Sequence, residues 1–171
     1  MGSMMLSPPV PLEKEHHLDD FSCGVASLDD WLKRRAYSNQ VSGASRTYVV
    51  TEGQRVVGYY CLASGALALS DTPGPIRRNM PDPVPMGVLG RLAVDRAFHR
   101  KGLGAALLQD AVIRTAQAGG ILGIRGLLVH AITADAQAFY VHHGFIASPT
   151  QPMTLILSLK GMVSQKETGS S

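Results

Sequence analysis

The residues with the clearest chemical potential form a short basic loop with two glycines, His99-Arg100-Lys101-Gly102-Leu103-Gly104. An apolar stretch that predicts a strand precedes the loop, and an apolar stretch that predicts a helix follows it. The first amides of a helix have no carbonyl partner and carry partial positive charge, so they attract phosphate groups. Glycine allows close approach to the backbone, and Arg100 and Lys101 add positive charge. The pattern therefore predicts a phosphate-binding helix N-terminus, with a simple helix cap or tight turn as the alternative.

The elements around this loop predict one α/β domain over residues 1–171, with frayed ends at 1–5 and 162–171. Ser27 and Asp30 have the spacing of a capping box, which predicts a helix over Leu28–Ser38. Val, Tyr and Thr on either side of Glu52-Gly53-Gln54 predict a β-hairpin over residues 46–51 and 55–63. Prolines predict a loop at Asp71–Pro85. Two further helices are predicted: one over Gly102–Ala118 that ends at Gly119-Gly120, and one that is capped by Thr133, runs to His143 and is closed by Gly144. The remaining predicted strands are Met86–Val94, Ile124–Ile132, Phe145–Ala147 and Met153–Leu159.

Positive charge is concentrated in the middle of the sequence. The 171 residues, 45% of them hydrophobic, fit a globular domain with a sizeable core, and the net charge is only +3. Residues 1–30 contain one base and six acids, whereas residues 31–130 contain thirteen bases and five acids. Such a centre suits a polyanionic ligand such as the phosphates of coenzyme A, a nucleic acid or an acidic protein, with a solvated basic face as the alternative.

The two cysteines, Cys23 and Cys61, fit neither a disulfide framework nor the spacing of metal ligands. We therefore expect small buried side chains in a reducing cytosol, and no metal. The N-terminus lacks the pattern of a secretory signal. The longest apolar stretch, Val56–Leu69, is interrupted by glycine and serine and is too short for a membrane helix. These features predict a cytoplasmic protein that does not bind membranes.

The loop and its flanking elements resemble the acetyl-CoA-binding core of the GNAT acetyltransferases. In that family a splayed strand holds the pantetheine arm, and an Arg/Gln-x-x-Gly-x-Gly/Ala loop wraps the pyrophosphate. Here His99 stands where Arg or Gln is usual. A dinucleotide-binding fingerprint fits less well, because its third glycine and its acidic residue are missing. The resemblance implies a mixed α/β sheet that is splayed at its centre and flanked by helices, acetyl-CoA as co-substrate, and cofactor contacts from Leu92, Ala93, Val94, His99, Arg100, Lys101, Gly102, Leu103, Gly104, Ala105 and Phe139.

A second family motif, Phe-Tyr-x-x-x-Gly-Phe, matches this sequence at Phe139, Tyr140, Gly144 and Phe145. The family places the hydroxyl of this tyrosine near the sulfur of coenzyme A, so the resemblance implies that Tyr140 is the general acid. A phenol with a pKa near 10 is protonated at neutral pH and can donate its proton to a departing thiolate. Helical spacing alone would make Phe139 and Tyr140 core aromatics, and this alternative stays open.

A general base is not evident in the sequence. The strands predicted at Met86–Val94 and Ile124–Ile132 contain no acidic residue, and His130 is their only titratable side chain apart from Arg91 and Arg125. A lysine amine, with a pKa of about 10.4, must lose a proton before it attacks, whereas an α-amine, with a pKa of about 7.7–8.0, is already partly neutral. The sequence therefore favours an α-amine substrate, although a base that acts through water stays open.

Three further segments are similar to one GNAT subgroup, the acetyltransferase toxins of type II toxin–antitoxin pairs (the TacT and AtaT type). They are Phe21-Ser22-Cys23-Gly24 with the following Leu28-Asp29-Asp30-Trp31-Leu32, residues 39–48, and residues 77–85. The resemblance implies acetylation of the α-amine on aminoacyl-tRNA, a block of translation, neutralisation by a ribbon-helix-helix antitoxin, and a homodimer. On this interpretation, phosphate contacts come from Lys33, Arg34, Arg35, Arg46, Arg77, Arg78 and Arg91.

Two other functions stay open at this point. The first is acetylation of a small amine or of a protein N-terminus. The second is a non-catalytic module that binds acyl-CoA, in which Tyr140 only packs.

Overall fold

The computed structural model describes residues 5–160, so the predicted frayed ends lie outside the described residues except for Met5, which is exposed. Seven strands form one mixed sheet in the order β1-β2-β3-β4-β5-β7-β6. The strands are β1 (Val10–Pro11), β2 (Arg46–Glu52), β3 (Arg55–Leu67), β4 (Val84–Val94), β5 (Gly126–His130), β6 (Ile146–Ala147) and β7 (Thr154–Ser158). The helices are α1 (Ala26–Trp31), α2 (Tyr37–Ser42), α3 (Gly74–Arg77), α4 (Leu103–Leu122) and α5 (Ala134–His142). None of the described helices is long and apolar enough to span a membrane.

The chain divides into two compact units. Unit 1 contains the residues up to Ala63 together with Gly90–Ala111, and unit 2 contains Ser64–Leu89 and the residues from Val112 onward. The prediction of a single domain over residues 1–171 stays a prediction.

Unit 1 is built on the antiparallel pairing of β2 with β3, in which Val49 faces Tyr59. The hairpin over Glu52-Gly53-Gln54 confirms the predicted turn, and Gly53 has a φ of +63°. One face of this hairpin packs in a hydrophobic cluster with α1 and the segment before it, where Phe21, Leu32 and Tyr59 are almost completely buried. Residues 56–61 of β3 are all buried, so both faces of this strand are covered over that stretch.

Unit 2 is built on β5, which pairs in parallel with β4 and antiparallel with β7. The pairing of β4 with β5 covers Met86–Leu89 and Gly126–Val129, and β4 continues to Val94 beyond it. β4 therefore extends beyond its pairing with β5, at the place where the family resemblance implies a splay. Met86, Leu128 and Ile156 are buried in a common cluster.

The prediction for the first helix was wrong in its bounds and in its cap. The helical segment begins at Ala26, passes through one π-helical turn over Leu32–Ala36, and ends at Ser42 before Gly43, which has a φ of +81°. Ser27 lies inside α1, and the N-cap is Val25 without a side-chain hydrogen bond. The carboxylate of Asp29 instead accepts a hydrogen bond from the backbone N–H of Cys23 at 2.9 Å.

The predicted end of α4 was also wrong. The helix runs through Gly119-Gly120 to Leu122 and ends at Gly123, whose φ is +75°. A Cβ on Gly119 would lie 2.7 Å from the carbonyl oxygen of Ile124, so this glycine permits close packing instead of ending the helix. The predicted loop at residues 71–85 contains α3 and the first residues of β4, and β3 continues four residues beyond Ala63.

The last helix follows the prediction closely. The Thr133 side chain accepts a hydrogen bond from the backbone N–H of Ala136 at 3.1 Å, and Gly144 has a φ of +94°. The strand predicted at Ile124–Ile132 is shorter in the structure, where β5 covers only Gly126–His130. Ile132 lies outside the strand and is 76% exposed.

Candidate functional site

The glycine loop connects the end of β4 to the first turn of α4. After β4, Asp95 caps a short 3₁₀ turn over Arg96–Phe98 by accepting a hydrogen bond from Ala97 N–H at 3.0 Å. Arg100 (φ +63°) and Gly102 (φ +80°) then adopt left-handed backbone conformations. Alternation of left-handed and ordinary conformations points successive amides into one concavity, which is a common anion site.

The amides at the start of α4 are available to a ligand. The first helical hydrogen bond of the loop joins Ala106 N–H to the carbonyl of Gly102 at 3.1 Å. Within residues 5–160, the preceding amides of Leu103, Gly104 and Ala105 donate to no carbonyl. A Cβ on Gly102 would meet nothing within 4 Å, so the space above the loop is open. The loop can therefore accept an anion with its backbone alone.

Positive charge surrounds this opening. The negative charge of the nearest acid in sequence, Asp95, is balanced by its contacts. Arg100 and Lys101 are exposed, and the Lys101 ammonium lies 5.5 Å from the ring centroid of the buried Phe98. The buried carboxylate of Asp95 accepts from Ser22 N–H at 3.1 Å and pairs with Arg55 at 3.6 Å. The local field thus favours a phosphate.

His99, which occupies the first position of the loop motif, turns back toward the strand. Its Nε2 lies 2.6 Å from the carbonyl oxygen of Val94, so Nε2–H is the donor. This bond holds the two ends of the 3₁₀ turn together. A direct contact of the His99 ring with a cofactor stays a prediction.

Tyr140 lies on the buried face of α5 in unit 2. Its side chain is 7% exposed. Its ring makes edge contacts with Phe139, at a centroid distance of 5.2 Å, and with Phe145, at 5.3 Å. The left-handed Gly144 returns the chain so that Phe145 N–H donates to the Tyr140 carbonyl at 3.1 Å. We call Phe139, Tyr140 and Phe145 the aromatic cluster.

The hydroxyl of Tyr140 has no hydrogen-bond partner among residues 5–160. Burial raises the pKa of this hydroxyl to about 12, so it is fully protonated at neutral pH. The residue as a whole is buried, but its hydroxyl oxygen is not one of the fully buried polar atoms that lack a partner, so a ligand can reach it. The arrangement can hold a proton ready for donation.

Neither β4 nor β5 carries a carboxylate. His130 at the end of β5 is exposed, and its Nδ1 lies 2.9 Å from Thr154 Oγ1 on β7. Within residues 5–160, no group of three or more His, Cys, Asp and Glu side chains could hold a metal ion. His142 and His143 are exposed at the end of α5, and the His143 ring packs against Phe139.

The predicted phosphate-binding cations are distributed over both units. Lys33, Arg34 and Arg35 are exposed on the π-helical turn of unit 1, and exposed Arg46 at the start of β2 donates to the Gln40 carbonyl at 3.4 Å. Arg77 and Arg78 are exposed at the end of α3 in unit 2.

Arg91 differs from the other predicted cations, because it is half-buried and its guanidinium lies 4.4 Å from the ring centroid of Trp31. Sequence reasoning gave Trp31 no functional role. The two residues are 60 positions apart, and no spacing rule connects them.

Comparison with known proteins finds relatives over most of the chain. A family model described as an acetyltransferase (GNAT) domain matches residues 43–147. The chain is 50% identical to a tRNA-acetylating toxin of Mycobacterium tuberculosis, over 90% of this chain and 93% of the relative.

Solved structures of similar proteins cover nearly all of the chain. A structure of AtaT in complex with acetyl-methionyl-tRNAfMet has a TM-score of 0.86 and 27% identity, and covers 92% of this chain and 97% of that one. A tyrosine-to-phenylalanine variant of the AtaT toxin, bound to the C-terminus of the antitoxin AtaR and to acetyl-CoA, has a TM-score of 0.79 and 26% identity, and covers 92% of this chain and 95% of that one.

Proposed function

The chain belongs to the GNAT acetyltransferase family, and we propose that it transfers the acetyl group of acetyl-CoA to the α-amine of the amino acid on charged tRNA. The observation that carries this proposal is the 50% identity to a tRNA-acetylating toxin over 90% of the chain. Acetylation converts the amine into an amide, which is not a nucleophile, so the modified tRNA no longer accepts a growing peptide. The product would therefore arrest translation.

The pyrophosphate of acetyl-CoA is assigned to the free amides of Leu103–Ala105 and to the cations Arg100 and Lys101. The pantetheine arm is assigned to Leu92–Val94, where β4 extends beyond its pairing with β5. The contact of Phe139 with the cofactor stays a separate prediction. The open space above Gly102 and the charge around the loop support this assignment.

The chemical step is an aminolysis of the thioester. The neutral α-amine attacks the acetyl carbonyl, a C–N bond forms, the C–S bond breaks, and the amine loses a proton to water. The departing thiolate takes the phenolic proton of Tyr140, and the phenolate regains it from solvent. Burial raises the pKa of Tyr140 to about 12, so the hydroxyl is protonated before the step and its proton moves only to a thiolate that lies against it.

The absence of a carboxylate from β4 and β5 supports an α-amine as the acceptor. An α-amine needs little help to lose its proton at neutral pH, whereas a lysine amine does. The exposed cations of both units are assigned to the tRNA backbone, because phosphate contacts position a nucleic acid without reading its sequence.

The partners follow from the same proposal. A ribbon-helix-helix antitoxin neutralises the protein, the protein acts in the cytoplasm where charged tRNA is found, and it forms a homodimer. The structure of AtaT with the C-terminus of AtaR supports the first statement. Light scattering of the purified chain tests the dimer.

A substrate series tests the proposed reaction. Acetyl-CoA is incubated with charged tRNA, with uncharged tRNA and with tRNA that carries an α-hydroxy acid, and the ester-linked product is analysed by mass spectrometry. We expect a gain of one acetyl group on charged tRNA alone. Acetylation of peptide N-termini or small amines at equal rates, independent of tRNA, would favour the alternative substrates. Absence of transfer to any amine would favour an acyl-CoA-binding module.

A cellular experiment tests the biological role. Induction of the chain alone should arrest growth, and co-expression of the small protein encoded beside it should restore growth. Growth arrest that also occurs with a Tyr140→Phe variant of equal expression would argue against acetylation as its cause.

A further inference from the structure

The guanidinium of Arg91 lies over the ring of Trp31 in unit 1. The guanidinium carbon of Arg91 lies 4.4 Å from the Trp31 ring centroid, which is within the range of a cation–π interaction. The Trp31 ring is nearly parallel to that of Tyr59, with an interplanar angle of 11° and a centroid distance of 6.0 Å. Trp31 and Arg91 are both half-buried, so each keeps part of its surface open. We call this pair the Trp31–Arg91 surface.

Among residues 5–160, no carboxylate forms an ion pair with Arg91. Asp29, which with Arg91 influences the pKa of Tyr59, is hydrogen-bonded to the backbone N–H of Cys23. The neighbouring group is the thiol of Cys61, which is 3% exposed and whose pKa is raised by burial despite the nearby guanidinium, so it is neutral. A guanidinium has five N–H donors. Arg91 therefore has donors and charge to offer to a ligand.

A guanidinium plane held over an aromatic ring suits one kind of ligand in particular. Unpaired bases stack on aromatic rings and on guanidinium planes, and guanidinium N–H groups bind phosphate. A nucleotide has both a flat base and a phosphate. An aliphatic or purely anionic ligand would use only half of this surface.

We propose that the Trp31–Arg91 surface binds the 3′-terminal nucleotide of charged tRNA, with its base stacked on the surface and a phosphate oxygen accepting from Arg91. This inference rests on the proposed function. The terminal nucleotide bears the aminoacyl group, so it must approach the thioester. Arg91 directly precedes Leu92–Val94, the stretch of β4 assigned to the pantetheine arm.

The adenosine 3′-phosphate of coenzyme A has the same chemistry and is the other source of such a ligand. We favour the tRNA nucleotide, because the phosphates of coenzyme A are already assigned to the glycine loop with Arg100 and Lys101. The two sources are separated by measuring the affinity for acetyl-CoA alone.

The test compares two acceptor-stem RNAs, chemically charged with the same amino acid, that differ only by removal of the terminal adenine base. Stacking of one base contributes roughly a five- to a hundredfold effect, so the wild-type protein should prefer the intact RNA by at least fivefold in kcat/KM. Trp31→Ala should reduce this preference to near one, and Trp31→Phe should restore most of it. Arg91→Gln should lower the preference as well.

The control variant is Arg125→Gln. It removes the same charge from an exposed arginine that directly precedes β5 and has no assigned role. It should leave the preference for the intact RNA unchanged. Binding of the two uncharged RNAs, measured by fluorescence anisotropy, should show the same preference independently of acetyl transfer.

Three outcomes would overturn the proposal. Equal losses of kcat/KM on intact and base-free RNA in the variants would mean that Trp31 and Arg91 only support the fold. Weaker acetyl-CoA binding in Arg91→Gln with an unchanged RNA preference would assign the surface to coenzyme A. Equal binding of the two uncharged RNAs to the wild type would exclude base stacking. If the wild type acetylates neither RNA yet binds the intact RNA more tightly, the proposed reaction fails and the nucleotide site stands.

Discussion

The glycine loop lies at the surface with exposed cations around free amides, whereas the aromatic cluster encloses Tyr140 and leaves it 7% exposed. The loop can bind charge because its donors are backbone amides to which no residue among 5–160 offers a carbonyl. The Tyr140 hydroxyl keeps its proton for the opposite reason, because burial disfavours the charged phenolate. A site built from backbone amides needs small residues that leave the amides accessible. A site built on a buried side chain needs neighbours that pack tightly around it. The two regions should therefore respond differently to substitution.

The largest effect is expected when a negative charge is placed in the loop. Gly104→Glu adds a carboxylate at the N-terminus of α4, where the helix itself tolerates an acid. The carboxylate would occupy the anion site and repel the pyrophosphate, so we expect no detectable acetyl-CoA binding by calorimetry. The matched control is Gly120→Glu near the other end of α4, where a Cβ meets nothing within 4 Å, and which should bind acetyl-CoA normally. Unchanged affinity in Gly104→Glu would contradict the assignment of the loop.

Removal of the phenolic proton should affect turnover and not binding. Tyr140→Phe keeps the edge contacts with Phe139 and Phe145 and deletes only the hydroxyl, which has no partner in the described chain. We expect a fall in kcat of roughly 10²- to 10⁴-fold, with acetyl-CoA affinity within about twofold of wild type. Thermal stability should be about equal, because the hydroxyl makes no hydrogen bond with residues 5–160 and the ring contacts are kept. Turnover near the wild-type rate would make Tyr140 a packing residue.

Charge reversal at the end of α3 sharpens the contrast between nucleic-acid and cofactor binding. Arg77→Glu combined with Arg78→Glu should weaken the use of charged tRNA by roughly tenfold or more, and each lost phosphate contact should flatten the log–log salt dependence by about 0.7–0.9. Acetyl-CoA binding should hold, since it is assigned to the loop in unit 1. The double lysine variant keeps both charges and should retain most of the tRNA affinity. A salt dependence equal to wild type in the double glutamate variant would remove these residues from the tRNA site.

The smallest effect is expected in the pH profile. An ordinary tyrosine with a pKa near 10 would lose half of its protons at pH 10, whereas a pKa of about 12 keeps Tyr140 protonated there. Turnover should therefore rise through the titration of the substrate α-amine, near pH 8, and stay level to pH 10. Stopped-flow measurement of thiol release over pH 6–10 checks this. A decline of turnover below pH 9.5, with the fold intact, would mean that the hydroxyl is not protected by burial.

The same contrast explains which parts of the site could be predicted. Glycine spacing after an apolar strand identified the loop, because a backbone site leaves a local signature in the sequence. Thr133 and Gly144 identified the bounds of α5 in the same way, since a cap and a left-handed residue act within a few positions. Gly119 led to a wrong end for α4. In the sequence, a glycine that permits close packing against Ile124 looks the same as a glycine that ends a helix.

By itself, the sequence determined the local devices: the glycine loop, the helix caps, the hairpin turn and the position of Tyr140 in its motif. Tertiary structure alone decided what surrounds each of them. It buried Tyr140 and raised the pKa of its hydroxyl, directed the His99 ring to Val94, and brought Arg91 over Trp31. The physical reason is the distance along the sequence over which each kind of interaction acts. Turns and caps depend on backbone conformation and on neighbours a few residues away, whereas burial, pKa and cation–π contact depend on residues that only folding brings together.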